Sequence, residues 1–133
     1  MPDQGKTPLD DERYVSLETF KKDGTGVKTP VWAAPLDGAL VLMSEGGAYK
    51  VKRVRNDPRA RVASCDMRGG TIGTWYDATA RILEDAAHID RVQAALAKKY
   101  GWQYAIGTFF SRLAGKKKTR AYIELRLTAG SSG

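Results

Sequence analysis

Polar and apolar residues alternate from Arg13 through Val15, Leu17 and Thr19 to Phe20, the period of two that sends successive side chains to opposite faces of a β-strand. Lys21-Lys22-Asp23-Gly24-Thr25-Gly26 then supplies a hairpin turn signal. Residues 27–34 are rich in β-branched and aromatic side chains and predict a second strand. Asp37-Gly38 predicts a second turn, and Ala39 to Met43 is continuously apolar, as in a strand covered on both faces. These three strands read as a meander.

The chain changes character after Met43. Ser44, Gly46 and Gly47 suit a tight strand-to-helix turn, and a short helix is expected to end at Asn56-Asp57-Pro58, because the residue before a proline is pushed out of helical geometry. Arg61 to Met67 predicts a fourth strand, Arg68-Gly69-Gly70 a turn, and Ile72 to Leu83 a long fifth strand. Asp85 is placed to cap a helix in which Ile89, Val92, Leu96 and Tyr100 recur at spacings of three and four, with Lys98 and Lys99 in the last turn and Gly101 ending it. Residues 102–114 are aromatic and ambiguous, readable as a further short helix with Phe109, Phe110 and Leu113 inward. From Arg120 to Leu127 the alternation returns, with Ala121, Ile123, Leu125 and Leu127 on one face and polar residues on the other. Six strands and two or three helices predict a mainly β, barrel-like single domain spanning residues 1–133, with flexible ends at residues 1–12 and 129–133.

Composition narrows the partners. The 22 Lys and Arg against 15 Asp and Glu give a net charge of +7, which favours polyanions: nucleic acid, an acidic membrane surface or a multiply charged cofactor. One cysteine and one histidine leave no disulfide framework and no Cys/His zinc set. Neither a signal peptide nor a run of about 20 apolar residues is visible, so a soluble cytoplasmic protein without a membrane partner is expected.

The densest chemistry is Lys50, Lys52, Arg53 and Arg55, four cations within six positions. Such a cluster repels itself unless solvent, carboxylates or a bound phosphate compensates it. A charge run of this kind is ordinarily a solvated helix face; the glycine turn and apolar strand before it favour an anion clamp. Hydrolase elbows, metalloprotease helices and nucleotide fingerprints are missing, and Gly24-Thr25-Gly26 is only a turn. His88 is expected to be exposed, and Cys65 to be a small buried hydrophobe. With no acid–base pair to name, hydride transfer fits, since there the cofactor carries the difficult step and the protein supplies binding, orientation and dryness. Trp75 and Trp102 are expected to be structural, whereas Trp32 is a candidate pocket wall.

The succession Thr29-Pro30-Val31-Trp32, then Leu42-Met43-Ser44, then Ala48-Tyr49-Lys50-Val51-Lys52-Arg53-Val54-Arg55-Asn56-Asp57-Pro58-Arg59-Ala60 resembles the split-barrel flavin- and deazaflavin-binding family related to pyridoxamine 5'-phosphate oxidase. The basic spelling is similar to its F420-dependent oxidoreductase branch found in actinobacteria, and the likeness runs over about residues 13–127. It implies a homodimer of six-stranded split β-barrels of the FMN-binding type, with cofactor grooves at the subunit interface. Lys28, Thr29, Pro30 and Val31 would lie along the cofactor ring, and Ser44, Tyr49, Lys50, Lys52, Arg53 and Arg55 would form the phosphate-binding stretch. Ala63, Ser64 and Cys65 would lie near the ring or its ribityl chain. No catalytic side chain and no metal ligand is carried over.

Flavin mononucleotide (FMN) offers one phosphate, whereas coenzyme F420 carries a phosphodiester and a chain of glutamates that profit from a broad cationic surface. The basic excess therefore points to coenzyme F420, with FMN as the alternative. Lys116-Lys117-Lys118 and Arg120 extend that track, or are an exposed loop kept soluble by charge. The implied function is hydride transfer from the reduced deazaflavin to a small electron-poor organic substrate. The competing readings are a non-catalytic binder of a flavin, deazaflavin or tetrapyrrole, and a nucleic-acid-binding module. The last is disfavoured, because the cations sit in one helix and one loop without an RNA- or DNA-reading motif.

Overall fold

The structure is a computed structural model that describes residues 7–45, 49–66, 70–71, 73–101 and 120–128. The expected Gly46-Gly47 turn, the start of the basic helix at Ala48, Met67 to Gly69, Ile72, the aromatic stretch 102–114, Lys116 to Lys118 and the tail 129–133 lie outside the described residues.

The chain runs β1 (Val15–Phe20), β2 (Gly26–Val31), β3 (Ala34–Leu36), β4 (Ala39–Glu45), α1 (Tyr49–Asn56), β5 (Arg59–Ser64), β6 (Tyr76–Leu83), α2 (Ala86–Tyr100) and β7 (Arg120–Leu127). The strands form one antiparallel sheet in the order β2-β1-β5-β6-β7-β4-β3. Lys21 N–H bonds Thr25 O and Gly24 turns with φ 89° to join β1 to β2, while Asp37 and Gly38, at φ 52° and 80°, join β3 to β4 as the Asp-Gly spelling predicts.

Two expectations need correction. There are seven strands among the described residues, not six, because the single strand read over residues 27–34 breaks at Trp32-Ala33. Nor do the first strands make one meander: β2 and β3 lie at opposite edges of the sheet. The break has a physical cause. The Ala33 N–H donates to the Tyr100 hydroxyl, and the Ala33 carbonyl accepts from Lys99 Nζ, so these backbone groups are satisfied by α2 rather than by a neighbouring strand.

That short crossover dictates the shape of the sheet. Three peptide steps from Val31 to Ala34 span at most about 11 Å, whereas the edges of a flat seven-stranded sheet would stand roughly 29 Å apart. The sheet must therefore curl until its edges approach, giving a half-barrel. Its concave face carries Val15, Leu17, Leu40, Leu42, Val62, Ile123 and Leu125, closed by Val51 and Val54 of α1. The convex face carries Val41, Leu83 and Tyr122 against Val92, Leu96 and Tyr100 of α2.

The doubly covered β4 and the amphipathic α2 are as expected. Asp85 accepts the His88 N–H at 2.9 Å, and Gly101, at φ 59°, donates to Ala97 O at 2.7 Å. The faces of β7 are also as expected; on its polar side Glu124 is buried and answered by Arg81 and by the exposed Arg126. Three boundaries differ. The fourth strand starts earlier, at Arg59, and only a bridge from Cys65 to Thr71 continues it; the fifth begins at Tyr76 rather than Ile72. Residues 7–12 form turns, and Leu9 among them is buried in the concave core. No helix of the described residues is long and apolar enough to cross a membrane.

Candidate functional site

The basic helix is anchored in the core by two residues. Val51 and Val54, three apart on α1, are almost fully buried in the core, and that spacing fixes where the four cations point. Lys52 and Arg55 are exposed, whereas Lys50 and Arg53 are half-buried on the flanks. Arg53 is committed to the fold: its Nε donates to Thr19 Oγ1 of β1 at 2.7 Å. Arg55 has no hydrogen-bond or ion-pair partner among the described residues. Tyr49 is 75 % exposed, with the Lys52 ammonium 5.4 Å from its ring centroid. A bulky ring left in water beside unneutralised cations is a surface prepared for a ligand rather than for the core.

The second set is assembled by strand register. Across β2, β1 and β5, Pro30 stands opposite Ser16 and Ser16 opposite Ala63; in the next row Val31, Val15 and Ser64 align. The structure thus brings the Lys28–Val31 and Ala63–Ser64 segments onto shared rows with β1 between them. β2 pairs only with β1, so Pro30 removes no ladder bond that the sheet needs, and the outer side of β2 has no strand partner among the described residues. Side chains of one row share a face, and on the convex face Ser16 and Ala63 are 1 % and 0 % exposed.

On that same convex face runs a charge row that the sequence reading missed. Lys28, Glu18, Arg61 and Asp77 stand opposite one another across β2, β1, β5 and β6, alternating in sign. Arg61 reaches Glu18 at 3.3 Å and Asp77 at 3.7 Å. Glu18 also presses on β2: a Cβ at Gly26 would fall 2.0 Å from its carboxylate oxygen. Trp75 lies over this row, its ring 5.1 Å from both the Lys28 ammonium and the Arg61 guanidinium. Only strand register reveals the row, since its members are scattered through residues 18–77.

The two sets meet at Thr19. This residue binds Arg53 of α1 and stands opposite Val27 of β2, one position before Lys28. Beyond the carboxyl end of α1, a cleft of about 340 Å³ is lined by Phe20, Lys21, Lys22, Gly24, Asn56, Asp57 and Arg59. Asp57 binds the Arg59 guanidinium at 2.7 Å, which holds the Asp57 carboxyl below its ordinary range, and Arg59 lies 5.1 Å over Phe20. Lys21 and Lys22, read in sequence only as part of a turn, thereby join the basic surface.

Ser44 is buried on β4 opposite Ala121 of β7, at the strand end that leads to α1. Cys65 is buried, and burial, reinforced by Asp66, raises its thiol pKa, so it remains a neutral thiol. Trp32 stacks on Tyr100, centroids 4.5 Å apart and 4° from parallel, and packs with the α2 cluster. The expectation for His88 is corrected: it is half-buried, with Nε2 3.8 Å from Glu124. Among the described residues no three His, Cys, Asp or Glu side chains form a metal-holding group.

Known proteins place this geometry. The fold is similar to Rv2991, a conserved hypothetical protein of Mycobacterium tuberculosis, at TM-score 0.67 and 20% identity, over 96% of this chain and 84% of that one. It is similar to HutZ, the heme storage protein of Vibrio cholerae, at TM-score 0.68 and 12% identity, over 90% of this chain and 84% of that one. An FAD-binding protein of Mesorhizobium loti matches at TM-score 0.59 and 21% identity, over 90% of this chain and 82% of that one. No curated protein matches the sequence. The pyridoxamine 5'-phosphate oxidase family matches residues 1–131, nearly the whole chain, and the protein belongs to that family.

Proposed function

We propose that this chain is an oxidoreductase that binds coenzyme F420 through α1 and β2 and presents its ring to a small electron-poor organic substrate. The observation that carries this reading is the division of labour on α1: Val51 and Val54 lock the helix to the core while Lys52, Arg55 and Tyr49 are left outward. The residues present fit an anionic cofactor arm, because two exposed cations and an exposed ring lie together with no buried carboxylate among them. When bound, the deazaflavin supplies the hydride.

The chain's own residues bind, orient and exclude water. Lys52 and Arg55 hold the acidic arm, with Lys50 and Ser44 beside them. Lys28, Thr29, Pro30 and Val31 orient the ring along the edge of β2 that has no strand partner among the described residues, and Ala63 and Ser64 lie two strands away on the rows of Pro30 and Val31, with Cys65 next in the chain. The buried Ser16 and Ala63 keep that region dry, which strengthens electrostatic contacts within it. We place the groove between two copies of the chain, with each open β2 edge facing the partner.

A second reading is a non-catalytic binder of flavin or tetrapyrrole. It is favoured by structural neighbours described as heme storage, heme binding and FAD-binding proteins. Titration of purified protein with coenzyme F420, FMN and hemin separates the readings. The proposal expects saturable, salt-sensitive quenching of coenzyme F420 fluorescence and oxidation of its reduced form by quinone-type acceptors. Tight binding without turnover across the acceptor panel favours the second reading, and preference for FMN moves the cofactor assignment to flavin.

A further inference from the structure

On the side of the molecule served by α2, a cleft of about 680 Å³ opens between the amino-terminal segment, β3 and the last turns of α2. Its volume falls in the range of small-molecule sites, and it shares no lining residue with α1, β2 or β5. Pro35, Leu36, Ala94 and Ala95 give it an apolar floor, while Arg13, Arg91, Lys98 and Lys99 outnumber Asp10 and Asp11 on its walls.

The cleft is held open by bonds that join all three walls. Lys99 Nζ donates to Glu12 O at 2.6 Å and Ala33 O at 2.7 Å. The Tyr100 hydroxyl lies 2.9 Å from Arg13 O and 3.0 Å from Ala33 O, and it accepts the Ala33 N–H. Several charges at the rim already have partners: Arg91 is paired with Asp37, and Asp10 accepts from Thr7. Lys98 is exposed and has no partner among the described residues. An apolar floor beside an unpaired ammonium, in a frame fixed by hydrogen bonds between side chains of α2 and the backbone, selects a ligand with a hydrophobic body and one negative group.

We propose that this cleft is a second binding site, for an amphipathic organic monoanion whose apolar body lies on Leu36 and Ala94 and whose anionic group meets Lys98. The site is independent of the cofactor assignment above.

The test uses 8-anilinonaphthalene-1-sulfonate as fluorescent probe on the whole chain, with dodecanoate as competitor. Saturable binding at one site per chain, displaced by dodecanoate but not by dodecyltrimethylammonium, is the expected result. Lys98→Glu should weaken the probe about tenfold and Ala94→Trp, which fills the cleft from an exposed position, should abolish binding. Titrations with coenzyme F420 and FMN should be unchanged in both variants, even if neither cofactor binds. Binding that does not saturate, equal competition by the cationic amphiphile, or wild-type affinity in both variants would overturn the proposal.

Discussion

Two cations of similar chemistry do opposite jobs in this protein. Lys99, near the end of α2, is pulled into the structure, bound to two backbone carbonyls and lowered in pKa by burial, with Asp10, Asp11 and Glu12 partly offsetting that effect. Lys52, on α1, stays in water beside an exposed tyrosine. Around Lys99, Tyr100 is buried, stacked on Trp32 and hydrogen-bonded to the crossover. One helix spends its polar groups on holding the sheet edges together; the other is anchored by two valines and Arg53 and leaves Lys52 and Arg55 for something else. The role of these two lysines is thus decided by whether buried acceptors surround the ammonium.

The largest effect should come from reversing charge on α1. Lys52→Glu with Arg55→Glu should weaken coenzyme F420 binding by about 100-fold, or about 2.7 kcal/mol, and move thermal stability by no more than about 0.5 kcal/mol because both side chains are exposed. Fluorescence titration beside a melting curve reads both quantities. A large loss of stability would place these residues with Lys99, as parts of the fold.

Tyr100→Phe should show the converse. It keeps the ring stacked on Trp32 but leaves the buried Ala33 N–H without its acceptor, at a cost of about 2 kcal/mol. Burial raises the Tyr100 pKa to about 12. The folded state therefore keeps the phenol proton where the unfolded chain has lost it, and the tyrosine's contribution is complete below pH 10 and lost as pH rises from 10 to about 12. Denaturant melts across that window should find the stability gap between wild type and variant narrowing with pH, with cofactor affinity at neutral pH unchanged.

How much of this was legible in the sequence varies with the range of the interaction. Local signals were sufficient for α2, where Asp85 and Gly101 mark the ends and Val92, Leu96 and Tyr100 mark the face. They were sufficient too for the Asp37-Gly38 turn. The break at Trp32-Ala33 was illegible because its cause is a hydroxyl 67 positions away in sequence. The expected exposure of His88 failed for a related reason: alternation along β7 shows which side chains share a face, but not that α2 and the arginines cover Glu124. In the candidate site, the basic run was readable, but the commitment of Arg53 to Thr19 and the Lys28-Glu18-Arg61-Asp77 row required register.

The smallest effect sharpens the α2 side alone. Asp85→Ala removes the oxygen that accepts the His88 N–H and should cost about 1 kcal/mol of stability, with cofactor titration unaffected. Chemical denaturation is the measurement.

A crystal structure of the protein soaked with coenzyme F420 puts the contrast between the two helices to its most direct trial. The account predicts two chains around each cofactor, the acidic arm within hydrogen-bonding reach of Lys52 and Arg55, and the ring edge along Lys28 to Val31. An acidic arm seated at Lys98 and Arg13 beside α2, with Lys52 and Arg55 still pointing into solvent, would contradict it.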